Sequence, residues 1–272
     1  MLPPWFRGGM RCFRRDGIGG RGAPGRRVHE TTALRDTARM KRRLATLIGL
    51  LLAGAVHAAD APPPAARTIT LVRHGHYVAD PVADARRGPG LSPIGVAQAR
   101  LAGARLAGMP TRFDALLVSP LQRARDTAAS IALDFPGRTF KVVPDLEECT
   151  PPTRRPEIMA KEDPEELAAC KAQLDRVFAE HFRAAEGVER NELLVCHGNV
   201  IRYLVTRALG VDTLAWLEMS PGHASITRIR VEADGRFKLI SLGDVGHLPP
   251  NMLTGATGDR DRSLGIPPLP EP

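Results

Sequence analysis

Residues 67–75 read Arg67-Thr68-Ile69-Thr70-Leu71-Val72-Arg73-His74-Gly75, and this stretch decides the fold. The run 68–72 is apolar and β-branched almost without interruption, the habit of a strand covered on both faces in a parallel sheet. It stops at a cation, an imidazole and a glycine. Open α/β sheets bind their ligands at such C-terminal strand ends. Outward from this stretch the pattern alternates. A helix is expected over 93–106, with Ser92 as N-cap and Pro93 in the first turn. A strand over 115–118, a helix over 121–133 and a strand over 139–143 follow. A proline-rich, charged loop, 144–163, leads to a helix over 164–185 capped by Asp163. Next come a buried strand over 192–196 and a helix over 200–209. Two closing strands, 224–231 and 237–242, turn at Asp234-Gly235. The alternation predicts an α/β protein, a three-layer sandwich around a mostly parallel central sheet.

The charge of the chain is +8, which by itself would suggest a nucleic-acid partner. Its location removes that reading. Residues 1–43 hold twelve Lys and Arg against three acids, so residues 44–272 carry a net charge of −1. No nucleic-acid partner is therefore expected of the folded part. Residues 1–39, rich in Gly and Arg without apolar periodicity, read as a disordered or untranslated extension, with translation starting at Met40. Residues 40–58 then form a secretory signal peptide: Lys41-Arg42-Arg43, a 13-residue apolar run, and small residues at Val56 and Ala58. An uncleaved anchor is the alternative, but a span takes about 20 residues, so no stable membrane span is expected after cleavage. An exported protein, periplasmic or extracellular, is thus predicted. Residues 59–66, with three consecutive prolines, read as a stiff spacer, residues 67–254 as the catalytic domain, and residues 255–272 as a disordered tail.

Cys149, Cys170 and Cys196 lack CxxC or Cys/His ligand spacing, so no structural zinc is expected. Cys196 ends a buried strand and reads as a core thiol. An oxidising compartment and a flexible loop allow a Cys149–Cys170 disulfide.

The chemistry-bearing residues each follow a strand. His74 offers a neutral imidazole nucleophile, Arg73 a guanidinium fork, and Gly75 close backbone approach. Alone, Arg-His-Gly also suits a surface turn. Its weight comes from Ser119 to Thr127, which includes Arg123, after the second strand, and from His197-Gly198 after the strand 192–196. Two Arg and two His thereby fall on one sheet edge. His74-x-His76 could be a metal pair, but the carboxylates nearby in sequence are only Asp80 and Asp84, so no metal is predicted. His76 reads as a pocket-rim residue, and Arg86 and Arg87 as a solvated pair.

In these residues, and in Leu91 to Gly95 with Gln98-Ala99, Leu146-Glu147-Glu148 and Val195 to Asn199, the chain resembles the phosphoglycerate mutase-like branch of the histidine phosphatase superfamily. The motifs run in family order over 67–254. The wording of 196–203 and 243–250 is similar to mitochondrial serine/threonine phosphatases of that branch, whose regulatory N-terminal region has no expected counterpart behind a signal peptide. The resemblance implies a phosphoglycerate mutase-like fold and a cofactor-independent phosphomonoester hydrolase. It implies transient phosphorylation of His74, with Arg73, Arg123 and His197 holding the phosphoryl oxygens and Gly198 in the binding loop. Glu148 aligns as the general acid, with Glu147 its rival. A phosphoprotein substrate is favoured by the wording, and a sugar phosphate or other small phosphomonoester by the expected location. A mutase is disfavoured because an exported protein meets no glycolytic substrate, and a dead phosphate-binding module because the set is intact. A homo-oligomer is left open.

Overall fold

The structure is a computed structural model that describes residues 62–255. The extension at 1–39, the signal peptide at 40–58, and the tail beyond Gly255 lie outside the described residues. Strand β1 is Pro64–Ala65 and β2 is Arg67–Arg73; helix α1 (Pro93–Ala107), β3 (Ala115–Val118), α2 (Gln122–Ala132) and β4 (Lys141–Val142) follow. Next come α3 (Pro156–Met159), α4 (Pro164–His181), β5 (Ala185–Glu186), β6 (Arg190–Cys196), α5 (Gly198–Leu209), β7 (Ile226–Val231) and β8 (Phe237–Asp244).

Six strands form the central sheet in the order β4-β3-β6-β2-β7-β8. The first four are mutually parallel, β7 pairs antiparallel with β2, and β8 pairs antiparallel with β7. Side chains alternate across the sheet, so β6 sends Leu193 and Val195 to one face and Leu194 and Cys196 to the other. The first pair packs with Leu106 of α1 and Ala124, Ala128 and Ile131 of α2. The second packs with Leu174 and Val177 of α4 and Ile201 and Leu204 of α5. Helices on both faces make the three-layer sandwich expected from the sequence.

Four local expectations changed. Helix α4 stops at His181 rather than near residue 185, because Ala185 pairs with Ala65 across β1 and β5. The end of the proline-rich segment therefore joins the fold as a strand. Strand β4 has only two residues, at the exposed sheet edge. Residues 144–163 are packed rather than loose: Thr153 Oγ1 donates to Leu214 O at 3.2 Å, Trp216 Nε1 to Pro152 O at 3.0 Å, and Cys149 is joined to Cys170 of α4. Cys196 is the free thiol among the described residues, and it is buried.

Candidate active site

The parallel strands β3, β6 and β2 are adjacent and end level: Val195 pairs with Val118 on one side and Val72 on the other. The ladder continues one step beyond, with His74 N donating to Cys196 O at 2.9 Å and Ser119 N to Val195 O at 3.0 Å. His74, Ser119 and His197 are thus delivered to one edge by backbone pairing alone. Gly75 is required because the next loop crosses it closely; a Cβ there would meet the carbonyl oxygen of Gly95 at 2.5 Å. Thr127 ties the two sides, accepting from Gly75 N at 3.0 Å and donating to Arg123 O at 2.7 Å.

His74 is buried, and its Nδ1 lies 2.8 Å from its neighbour's carbonyl, Gly75 O. A carbonyl only accepts, so Nδ1 carries the proton and Nε2 keeps its lone pair. Arg123 Nε donates to that lone pair at 3.3 Å. Burial, reinforced by His197 and Arg73, holds the His74 pKa well below 6.5, so the ring stays neutral. His197 is likewise held neutral by burial, then by Arg123 and Arg73. It therefore contributes a hydrogen-bond donor rather than a positive charge. Its Nε2 lies 2.6 Å from Ser119 Oγ, and its buried Nδ1 has no partner within the protein. In the tautomer in which Ser119 donates to Nε2, Nδ1 carries the proton and is free for a ligand.

Arg73 lies over Gly198, where a Cβ would come within 3.3 Å of its Nε. Burial brings the Arg73 pKa down to about 10, which leaves it charged near neutrality. Of the two candidate acids, Glu147 is exposed while Glu148 turns inward. Glu148 Oε1 accepts from Asn199 N, in the first turn of α5, at 3.1 Å, and Oε2 lies 3.9 Å from His197 Nδ1. Burial raises its pKa above 4.5, opposed by Arg73, Arg123 and the Asn199 N–H. His76 stays half-buried beside Ser92 at 2.8 Å, and Arg86 and Arg87 are exposed.

His74, Glu148 and His197 place ligand atoms within 4.8 Å of one another, a spacing that could also hold a metal ion. Two guanidinium groups beside them favour an anion instead. Arg202 and His223, assigned nothing from the sequence, also act on these residues. Arg202 is partly buried, and its charge acts on Glu148. His223 is buried, its ring centroid 5.4 Å from that of His74.

Such an edge suits a tetrahedral dianion that must be bound, transferred and released, and defines an α/β enzyme of phosphoryl transfer. Residues 69–153 and 150–244 match the family described as the histidine phosphatase superfamily (branch 1), and the chain belongs to that superfamily. A serine/threonine-protein phosphatase Pgam5, mitochondrial, of Caenorhabditis elegans is 35% identical over 196 residues, covering 70% of this chain and 67% of that protein. The Homo sapiens protein of that name is 33% identical over 195 residues, covering 70% and 66%. The chain thus spans about two thirds of these relatives, and it is a phosphatase. Among solved structures, an open reading frame product of Mycobacterium tuberculosis superposes with a TM-score of 0.50 at 23% identity, covering 66% of this chain and 99% of that one. A phosphoglycerate mutase of Plasmodium falciparum gives 0.47 at 24%, covering 68% and 95%. At these identities the likeness concerns the fold alone.

The relatives correct one expectation. They are named as mitochondrial proteins, which overturns the prediction of a periplasmic or extracellular protein and leaves the secretory signal peptide unsupported. The physical reason is that a basic, acid-poor N-terminal stretch is also what organelle-targeting segments carry, so twelve cations against three acids did not single out export. Among the described residues, no helix is long and apolar enough to cross a membrane.

Proposed function

We propose that the domain 67–254 hydrolyses phosphomonoesters of serine or threonine in proteins through a phosphohistidine on His74. The observation that carries the mechanism is the His74 tautomer: Nδ1–H is tied to Gly75 O, and the lone pair of Nε2 faces Arg123. That lone pair attacks phosphorus, and the bond from phosphorus to the leaving oxygen breaks. Arg73, Arg123 and the His197 Nδ1–H bind the equatorial oxygens, with Gly198 allowing Arg73 to approach. Glu148 gives its proton to the leaving oxygen. As a carboxylate it then takes a proton from water, whose oxygen displaces His74 from phosphorus, restoring imidazole, Glu148 and free phosphate. The phosphoprotein assignment is supported by what the relatives are called, serine/threonine-protein phosphatases.

Two measurements test it. Enzyme quenched during turnover should hold phosphate that is acid-labile and base-stable, and His74→Ala should hold none and lose turnover by several orders of magnitude. Full activity in His74→Ala ends the mechanism. Greater kcat/KM on small sugar phosphates than on phosphoserine or phosphothreonine peptides would end the substrate reading alone.

A further inference from the structure

Arg73 has five N–H donors, and most are already committed. Nη1 donates to Pro221 O at 2.7 Å and to Gly255 O at 3.0 Å. Nη2 lies 3.2 Å from His223 Nε2. A guanidinium cannot accept, so His223 Nε2 must, which leaves the single proton of that neutral imidazole on Nδ1. Nδ1 lies 3.0 Å from Thr254 Oγ1. Thr254 is itself held: its Oγ1 receives Gln98 Nε2 at 2.8 Å, and its carbonyl receives His223 N at 2.9 Å. Arg73 Nε, buried, has no partner within the protein. Nε–H and the second Nη2 hydrogen thus remain as a two-pronged edge of the kind that grips two oxygens of one phosphoryl group.

We propose that His223 is a positioning residue for phosphate binding, holding Nη2 of Arg73 through a Gln98–Thr254–His223 chain so that the Nε/Nη2 edge faces the phosphoryl oxygens. This rests on the reading of Arg73 as a phosphate ligand. The turn that presents His223 is itself constrained: Ala224 has φ 55°, the non-glycine residue with positive φ among the described residues, and its N–H donates to His74 O at 3.1 Å. Backbone strain of this kind persists where the surroundings over-determine it. Burial, then Arg73, pushes the His223 pKa down to about 3, so Nε2 stays an acceptor throughout the working pH range.

The test uses the full chain with p-nitrophenyl phosphate as substrate and inorganic phosphate as competitive inhibitor. His223→Leu keeps bulk but removes the acceptor, and should raise KM and the phosphate Ki about tenfold, equivalent to ~1.4 kcal/mol, with a much smaller change in kcat. His223→Gln, which keeps an acceptor at the end of its side chain, should recover most of the loss. Thr254→Val removes the partner of Nδ1 at a partly exposed position and should move both constants the same way by about threefold, since one neutral hydrogen bond is lost. A folded His223→Leu with KM and Ki near wild type overturns the proposal. So does a His223→Gln no better than Leu, which would assign the loss to packing. If His223→Leu does not fold, an unchanged Ki in Thr254→Val overturns it. Arg73→Lys separates the two levels: an unchanged Ki there refutes Arg73 as a phosphate ligand, whereas a raised Ki there with none in His223→Leu refutes the positioning role alone.

Discussion

Breaking the Cys149–Cys170 bond is expected to cost stability and to loosen the acid side of the site together. The bond joins the residue directly after Glu148 to a buried position on α4, with Cα atoms 5.7 Å apart and a sequence separation of 21. In the chain-entropy model a closed loop of that length removes about 11 cal/mol/K from the unfolded ensemble, or ~3 kcal/mol at 25 °C. Domains are stable by about 5–15 kcal/mol, so the loss is a sizeable share. It should appear as a urea midpoint lower by roughly 1–2 M. Cys149→Ser is the cleaner variant because Cys149 is only partly buried, whereas Cys170 would leave a hydroxyl in the core. Reductant should bring wild type down to the midpoint of the variant and leave the variant unmoved. Glu148 keeps its Asn199 contact at 3.1 Å, and Asn199 Nδ2 still donates to Cys149 O at 3.1 Å. The loop should therefore open locally rather than detach. Turnover of alkyl phosphates, whose leaving oxygen needs a proton, should fall more than turnover of p-nitrophenyl phosphate. A wild-type midpoint insensitive to reductant, or equal shifts in wild type and variant, would refute the reasoning.

Three further outcomes follow from the site. Glu148→Gln should lower kcat on alkyl phosphates by about 10²–10⁴, the usual worth of a general acid, and far less on p-nitrophenyl phosphate; equal losses on both would remove Glu148 from that role. A bound dianion offsets Arg73 and Arg123, two of the three cations that oppose the burial-raised pKa of Glu148, so the basic limb of kcat should lie at higher pH than that of kcat/KM; coincident limbs would count against this. His74, His197 and His223 are held below their ordinary 6.5, chiefly by burial, so the folded state binds fewer protons than the unfolded chain. Their contribution is present above about pH 6.5 and is lost as pH falls from there through their folded values, about 3 for His223. Glu148, raised from 4.5, acts in the opposite sense as pH rises, but it is one group against three. The urea midpoint should fall between pH 7.5 and pH 5, and a flat profile would contradict the buried-histidine account.

What the sequence determined by itself was the sheet and the residues at its parallel ends. Runs such as 68–72, 115–118 and 193–196 are largely apolar on both sides because both faces are covered, and a signal that local survives without tertiary context. Arg73, His74, Arg123 and His197 were legible as candidates because each lies at or next to the end of an element whose direction the pattern had already set. Glu147 and Glu148 stayed rivals because loop register carries no period; packing, with Gln173 Nε2 donating to Glu147 O and Asn199 N to Glu148, separates them. The end of α4 and the strand at Pro64–Ala65 were misread because residues far apart in sequence compete for the same backbone hydrogen bonds. His223 was missed for a topological reason. Strand β7 runs antiparallel to β2, with Ile226 opposite Val72, so the residues before β7 share an edge with those after β2. A search of strand C-termini passes over that position, and only the tertiary pairing brings its imidazole against Arg73.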